Sequence, residues 1–255
     1  MAGLRIFLFK SYWKAEAFLV PGLASSQYRY YQKLRPIVQD RIWMDLGCGH
    51  QVFGEWMLTE QTQVLSSCRK AFGVDLDWPG LRAHAGITNK IFADLTHLPV
   101  QANSMEVVSA NMVAEHLQDP AAVLREVHRI LKPGGVFVFH TPNFLGLNTQ
   151  IAARVPESIK KALIRLLENR KAEDVFPTHY RINTSADIHK LAGQTGFAVE
   201  DISMVSSTAA TGMLGPVAWA ELLYIRALQA EKRANYRSNI VAVLRKIMNG
   251  TPVTL

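Results

Sequence analysis

Asp45-Leu46-Gly47-Cys48-Gly49 is the stretch on which the reading of the fold turns. The short apolar run Ile42 to Leu46 predicts a buried strand that feeds straight into two closely spaced glycines. Glycine permits a tight turn and lets a backbone approach a ligand closely. A helix is expected to begin near Val52 or Phe53. Strand, glycine turn and helix together give the geometry by which doubly wound proteins hold nucleotide-like ligands at strand carboxyl ends.

Working outward, further short apolar runs predict strands at Ala71 to Val74, Ile91 to Ala93, Val107 to Ala110, Val136 to His140, Phe197 to Ile202 and Asn239 to Leu244. Each is bounded by Gly, Asp, Asn or Pro, and helical patterns separate them, as in βαβ units of a mainly parallel sheet. Asp75 ends the second strand, where a carboxylate can accept hydrogen bonds from ribose hydroxyls. Asp94 ends the third, where an adenine amino group could be read. The alternative for both is turn capping, which Asp favours. A dinucleotide fingerprint needs a third glycine after Gly47 and Gly49, and His50, Gln51 and Val52 follow instead, which weakens a pyrophosphate site.

The clearest helix precedes the fifth strand. Asp119 is placed to cap it and Pro120 to occupy its first position. Val123, Leu124, Val127, Ile130 and Leu131 form one apolar face, with Arg125, Glu126 and Arg129 toward water. Pro133-Gly134-Gly135 is expected to end it. A second helix is expected near Ala186 to Thr195.

The chain has 255 residues, 49% hydrophobic and 19% charged. That fits one α/β domain with insertions, its core at about 30–145, 182–205 and 238–246 and its insertions at about 146–181 and 206–237. The two cysteines, Cys48 and Cys68, form no CxxC pair, so no zinc site of ordinary spacing is offered and a reducing compartment is the simple reading. The formal charge of +7 favours anionic surroundings. No recognised nucleic-acid-binding module is present, so nucleic acid is not the expected partner. The N-terminal run Leu4 to Val20 carries charges and lacks a cleavage site, and no run of ~18 apolar residues occurs. A cytoplasmic location is expected, with peripheral contact at the inner face of a membrane left open.

With these residues in view, the chain resembles the class I S-adenosylmethionine-dependent methyltransferases of the broad type 11 group. The resemblance rests on Asp45 to Gly49, Gly73-Val74-Asp75-Leu76-Asp77, Ala93-Asp94-Leu95 with Leu98-Pro99, Glu115 to Pro120, and Leu131-Lys132-Pro133-Gly134-Gly135, in the family's order and spacing. It covers about residues 30–145. It implies a Rossmann-like α/β/α fold with a seven-stranded, mostly parallel sheet, the last strand antiparallel, and helical lid insertions. It implies S-adenosylmethionine as cofactor, with Asp45, Gly47, Cys48, Gly49, Asp75, Leu76, Asp94, Leu95 and Asn111 around it. Gln51 stands where the family often has glycine, and Met105-Glu106 where it has Phe-Asp. Cys48 reads as a packed thiol at a small-residue position, not a nucleophile.

Transfer from an activated methyl sulfonium needs a well-placed acceptor, and a hydroxyl acceptor also needs a base. His116 is the leading candidate base, followed by His140 and His179. Glu115 and Tyr180 are candidate substrate contacts. Glu115-His116 resembles part of a metal pattern found in some methyltransferases that act on RNA ends or quinone precursors, but Met112 replaces the RNA-end pattern's other Glu, so no metal is expected. Asn111-Met112-Val113-Ala114 is not the Asn-Pro-Pro-Tyr of base amino methylation, and no Pro-Cys nucleophile for cytosine occurs. Oxygen methylation of a small molecule, lipid or sugar is therefore favoured. Two alternatives stand beside it. The basic stretch Lys160, Lys161, Arg165, Arg170 and Lys171 motivates an RNA-modifying enzyme, with a solvated helix face as the plainer account. Gln51 motivates a cofactor-binding protein without catalysis. The apolar run Thr208 to Ile225 reads as a core or dimer helix, an acceptor tunnel or a membrane-touching surface, with Lys232, Arg233 and Arg237 close by for anionic head groups.

Overall fold

The computed structural model describes residues 2–155, 177–209, 211–212 and 216–247. The basic stretch from Lys160 to Lys171, together with Met213 and Leu214, lies outside them. Seven strands form one sheet: β1 (Ile42–Leu46), β2 (Lys70–Asp75), β3 (Asn89–Phe92), β4 (Met105–Asn111), β5 (Leu131–Pro142), β6 (Phe197–Val205) and β7 (Asn239–Lys246). Their order is β3-β2-β1-β4-β5-β7-β6. β1 pairs in parallel with both β2 and β4, while β7 runs antiparallel between β5 and β6. The winding reverses between β1 and β4, so the carboxyl ends of those two strands open a crevice.

Alternation along each strand sends side chains to two covered faces. Met44, Leu46, Val108, Phe137 and Phe139 pack on one side beneath α5 (Pro120–Ile130) and α7 (Ser185–Gln194). Trp43, Val107, Val136, Val138 and Val241 pack on the other beneath α2 (Ser26–Val38) and α3 (Leu58–Ser67). A short α4 (Trp78–Ala83) links β2 and β3. In α5, Asp119 accepts from the N–H of Ala122 at 2.9 Å, Pro120 takes the first turn, and Val123, Leu124, Val127 and Ile130 are buried.

Two local expectations are corrected. No helix starts at Val52 or Phe53. Both residues are buried, Phe53 meets Tyr30 and Tyr31 edge-on, and the N–H of Val52 is taken by the Gln61 side chain at 2.8 Å. These tertiary contacts use the backbone and side chains a helix start would need. A 3-10 turn, Glu55–Met57, intervenes before α3. Nor does Pro133-Gly134-Gly135 terminate α5. The helix stops at Ile130, and Leu131 already pairs with Met105. The next pair is Val107 with Val136, so Lys132–Gly135 bulges out of β5, with Gly134 at φ +74°.

The N-terminal helix α1 (Ala2–Leu19) and helix α8 (Pro216–Ala227), the latter within the second insertion, pack on each other. Tyr12, Ala15 and Leu19 meet Ala218, Leu222 and Ile225 in a satellite core. Helix α6 (Leu147–Arg154) follows β5 and joins α8 through Asn148, whose amide donates to Glu221 at 3.0 Å.

Candidate functional site

The glycine loop after β1 is bent by two left-handed residues, Gly47 at φ +63° and Gly49 at φ +49°. It is tied to β2 because the N–H of Gly47 donates to the carbonyl of Val74 at 2.7 Å. A Cβ at Gly47 would lie 2.5 Å from a Val113 methyl, whereas one at Gly49 would meet nothing within 4 Å. Gly47 is therefore glycine for packing and Gly49 borders open space.

Asp75 is bound to this loop directly. One carboxylate oxygen accepts from the N–H of Gly49 and the other from that of Asp77, each at 2.7 Å. Each oxygen keeps a second lone pair, enough to receive ribose hydroxyls as well. Leu76 is exposed beyond it, and Leu95 lines an apolar hollow with Leu46, Val113 and Leu117. Trp78 and Phe92 stand exposed beside Leu76, edge to face at 5.9 Å, and were not anticipated. Asp94 caps the turn that follows it. One oxygen accepts from both the N–H and the hydroxyl of Thr96 at 2.8 Å, and those bonds hold its carboxyl below the usual range. Cys48 is buried with its sulfur against Gly73, and burial pushes its thiol far above the usual range.

Two candidates turn inward. Asp45 is 1% exposed, and burial raises its carboxyl to about 7 although the Ser109 hydroxyl donates to it. Trp43 in turn donates to Ser109 at 2.8 Å. His140 is also 1% exposed and stacked on Tyr30, and burial lowers it to about 3. The amide nitrogen of Asn111 donates to the side chain of Gln27 and to the carbonyl of Val52, both at 2.8 Å. Its oxygen therefore faces Nδ1 of His140 at 2.8 Å, and that nitrogen carries the proton. His140 is a neutral brace of the crevice floor, away from the open cleft. Gln27, which no motif marks, fixes Asn111 from the N-terminus of α2.

A second cluster forms where β4 and β5 end. His116 lies in a 3-10 turn, Ala114–His116, and its Nδ1 is 2.8 Å from the carbonyl of Pro177. A carbonyl only accepts, so Nδ1 bears the hydrogen and Nε2 is the basic nitrogen. Nε2 stands 3.9 Å from the Glu115 carboxylate. Glu115 is buried, which raises its carboxyl, and it accepts from Thr141 at 3.0 Å. Its backbone carbonyl accepts from the N–H groups of His179 at 2.7 Å and Tyr180 at 3.2 Å. Asn183 completes the brace by donating to Thr141 at 2.7 Å. Met112 and Tyr180 adopt left-handed backbone at φ +58° and +52°, a strain that concentrates at sites. Thus His116, Glu115, His179 and Tyr180 come together across more than sixty residues of sequence. Among the described residues no group of three or more His, Cys, Asp or Glu side chains is placed to hold a metal.

A methyltransferase-domain family model matches residues 25–202. Ubiquinone biosynthesis O-methyltransferase of Psychrobacter arcticus is 30% identical over 175 residues, covering 62% of this chain and 60% of that protein. Malonyl-[acyl-carrier protein] O-methyltransferase of Hamiltonella defensa is 29% identical over 101 residues, covering 38% and 36%. The S-adenosylmethionine-dependent methyltransferase of Mesorhizobium loti superposes with a TM-score of 0.56 at 20% identity, over 87% of this chain and 98% of that one. These define the class: the chain belongs to the methyltransferase-domain family, in its class I, S-adenosylmethionine-dependent form. Its matches span about three-fifths of the length of the first curated relatives. The cosubstrate fits the residues present, since Gly49 borders open space and the Asp75 carboxylate beside it keeps lone pairs that hydroxyl groups could meet.

Proposed function

We propose that the protein methylates a hydroxyl group of a small molecule, lipid or sugar. The observation that carries this reading is the imidazole of His116, anchored through Nδ1 and basic at Nε2, at the same strand edge as the glycine loop. Relatives named for O-methylation support it.

S-adenosylmethionine supplies an electrophilic methyl group when bound. Gly47, Gly49, Asp75, Leu76, Leu95 and Asn111 would hold it, with Asp45 and His140 stiffening the strands beneath. Nε2 of His116 would take the acceptor's hydroxyl proton, leaving the oxygen to receive the methyl group. The Glu115 carboxyl group lies 3.9 Å from that nitrogen. His179 and Tyr180, pinned by the carbonyl of Glu115, wall the acceptor side.

The test is turnover to S-adenosylhomocysteine with phenolic and alcoholic acceptors. His116→Ala is expected to lower kcat by about 10²-fold or more while cofactor affinity stays level. Unchanged kcat across the pH range, or a methylated nitrogen or carbon in the product, would overturn the proposal.

A further inference from the structure

Helices α1, α6 and α8 present a surface that is apolar and basic together. On α1, Trp13 and Phe18 are exposed, the latter at 80%. On α8, Trp219 and Leu223 are exposed, followed by Arg226 on the same face. On α6, Ile151 is 54% exposed beside Arg154. A helix that is apolar on its outer as well as its inner face has a partner for both.

The acids of these helices are turned to internal work. Glu16 is buried and accepts from Tyr12, and Glu221 accepts from Thr211 and Asn148. Among the described residues, the exposed ionisable side chains of the three helices are Lys10, Lys14, Arg154 and Arg226, all basic. The helices are joined, α1 to α8 by the satellite core and α6 to α8 by the Asn148–Glu221 bond. They also sit at the edge of the sheet that carries the site. α6 follows the carboxyl end of β5, and α1 leads into α2, whose Gln27 holds Asn111.

We propose that this surface docks peripherally on an anionic lipid bilayer. Tryptophan and aliphatic side chains enter the interfacial region while lysine and arginine meet anionic head groups. A second copy of this chain would set bases against bases across a two-fold contact. RNA would leave Leu223 and Ile151 without a base to stack on. Among the described residues no helix is long and apolar enough to cross a membrane, so the contact lies on the surface. The proposal stands whichever acceptor is methylated.

Flotation with vesicles tests it. The full chain should float with vesicles of phosphatidylcholine and phosphatidylglycerol, should do so less as salt rises, and should bind poorly to phosphatidylcholine alone. The double substitution Trp219→Gln/Leu223→Gln should weaken binding about tenfold or more. Should that variant melt early, Lys10→Glu/Lys14→Glu, which leaves the packing intact, should weaken binding to the mixed vesicles in its place. Absence of flotation at low salt, or equal partition of parent and folded variants, would overturn the proposal. So would a dimer in light scattering that the same substitutions dissociate.

Discussion

Single residues show how far chemistry and position can part. Asp45 and Asp75 both lie at or near the carboxyl ends of strands beside the glycine loop, yet one is sealed and the other faces the crevice. For Asp45 the consequence is measurable. Its carboxyl moves from 3.8 to about 7 on folding, so between those values the native state keeps a proton the unfolded chain has released. Its contribution to stability is therefore full below 3.8 and is lost as pH rises through about 7, with a slope of at most about 1.4 kcal/mol per pH unit. Urea unfolding of Asp45→Asn across that interval should lack this decline relative to the parent. Parallel curves for the two would show that Asp45 does not hold its proton in the fold. The sequence marked Asp45, His116 and His140 as polar residues in or after strands, with His116 ahead of His140 as the candidate base. It held no sign that Ser109 and Tyr30 would enclose two of them.

At the scale of elements, local signals were strongest where they agreed with packing. Asp119, Pro120 and the apolar face of α5 state the same helix three ways, and it starts as expected although it ends at Ile130. β1 and the glycine loop were similarly plain. α1 and α8 were not, because apolar residues lie on their outer as well as their inner sides and mark no single inner face along the chain. Their pairing gives a prediction. Leu222 is fully buried against Tyr12 and Leu19, and Leu222→Ala should cost about 2–5 kcal/mol locally. Amide exchange should then quicken in α1 and α8 while β1, β4 and β5 keep their protection. Uniform loss of protection across the sheet would show instead that these helices are part of the main cooperative unit.

For the whole molecule, ligand binding and folding are linked through the crevice between β1 and β4. A ligand seated only on the native state stabilises it by about 2.7 kcal/mol at a hundredfold excess over its Kd. S-adenosylhomocysteine should raise the melting temperature of the parent accordingly. Asp75→Ala should abolish most of that rise if the proposed site holds the ribose there, because the carboxylate also holds the N–H of Gly49. A full thermal shift in Asp75→Ala would place the cosubstrate elsewhere.

The sequence by itself determined the doubly wound sheet and the cosubstrate class, since alternation, glycine turns and strand-end carboxylates are local in the chain. Only the tertiary structure decided which polar residues face the crevice. It withdrew Asp45 and His140 into the core, brought His179 and Tyr180 to the carbonyl of Glu115, and recruited Gln27 and Asn183 with no motif to announce them. The reason is physical. Burial and long-range hydrogen bonding depend on which distant elements pack against a residue, and spacing along the chain carries no record of that packing.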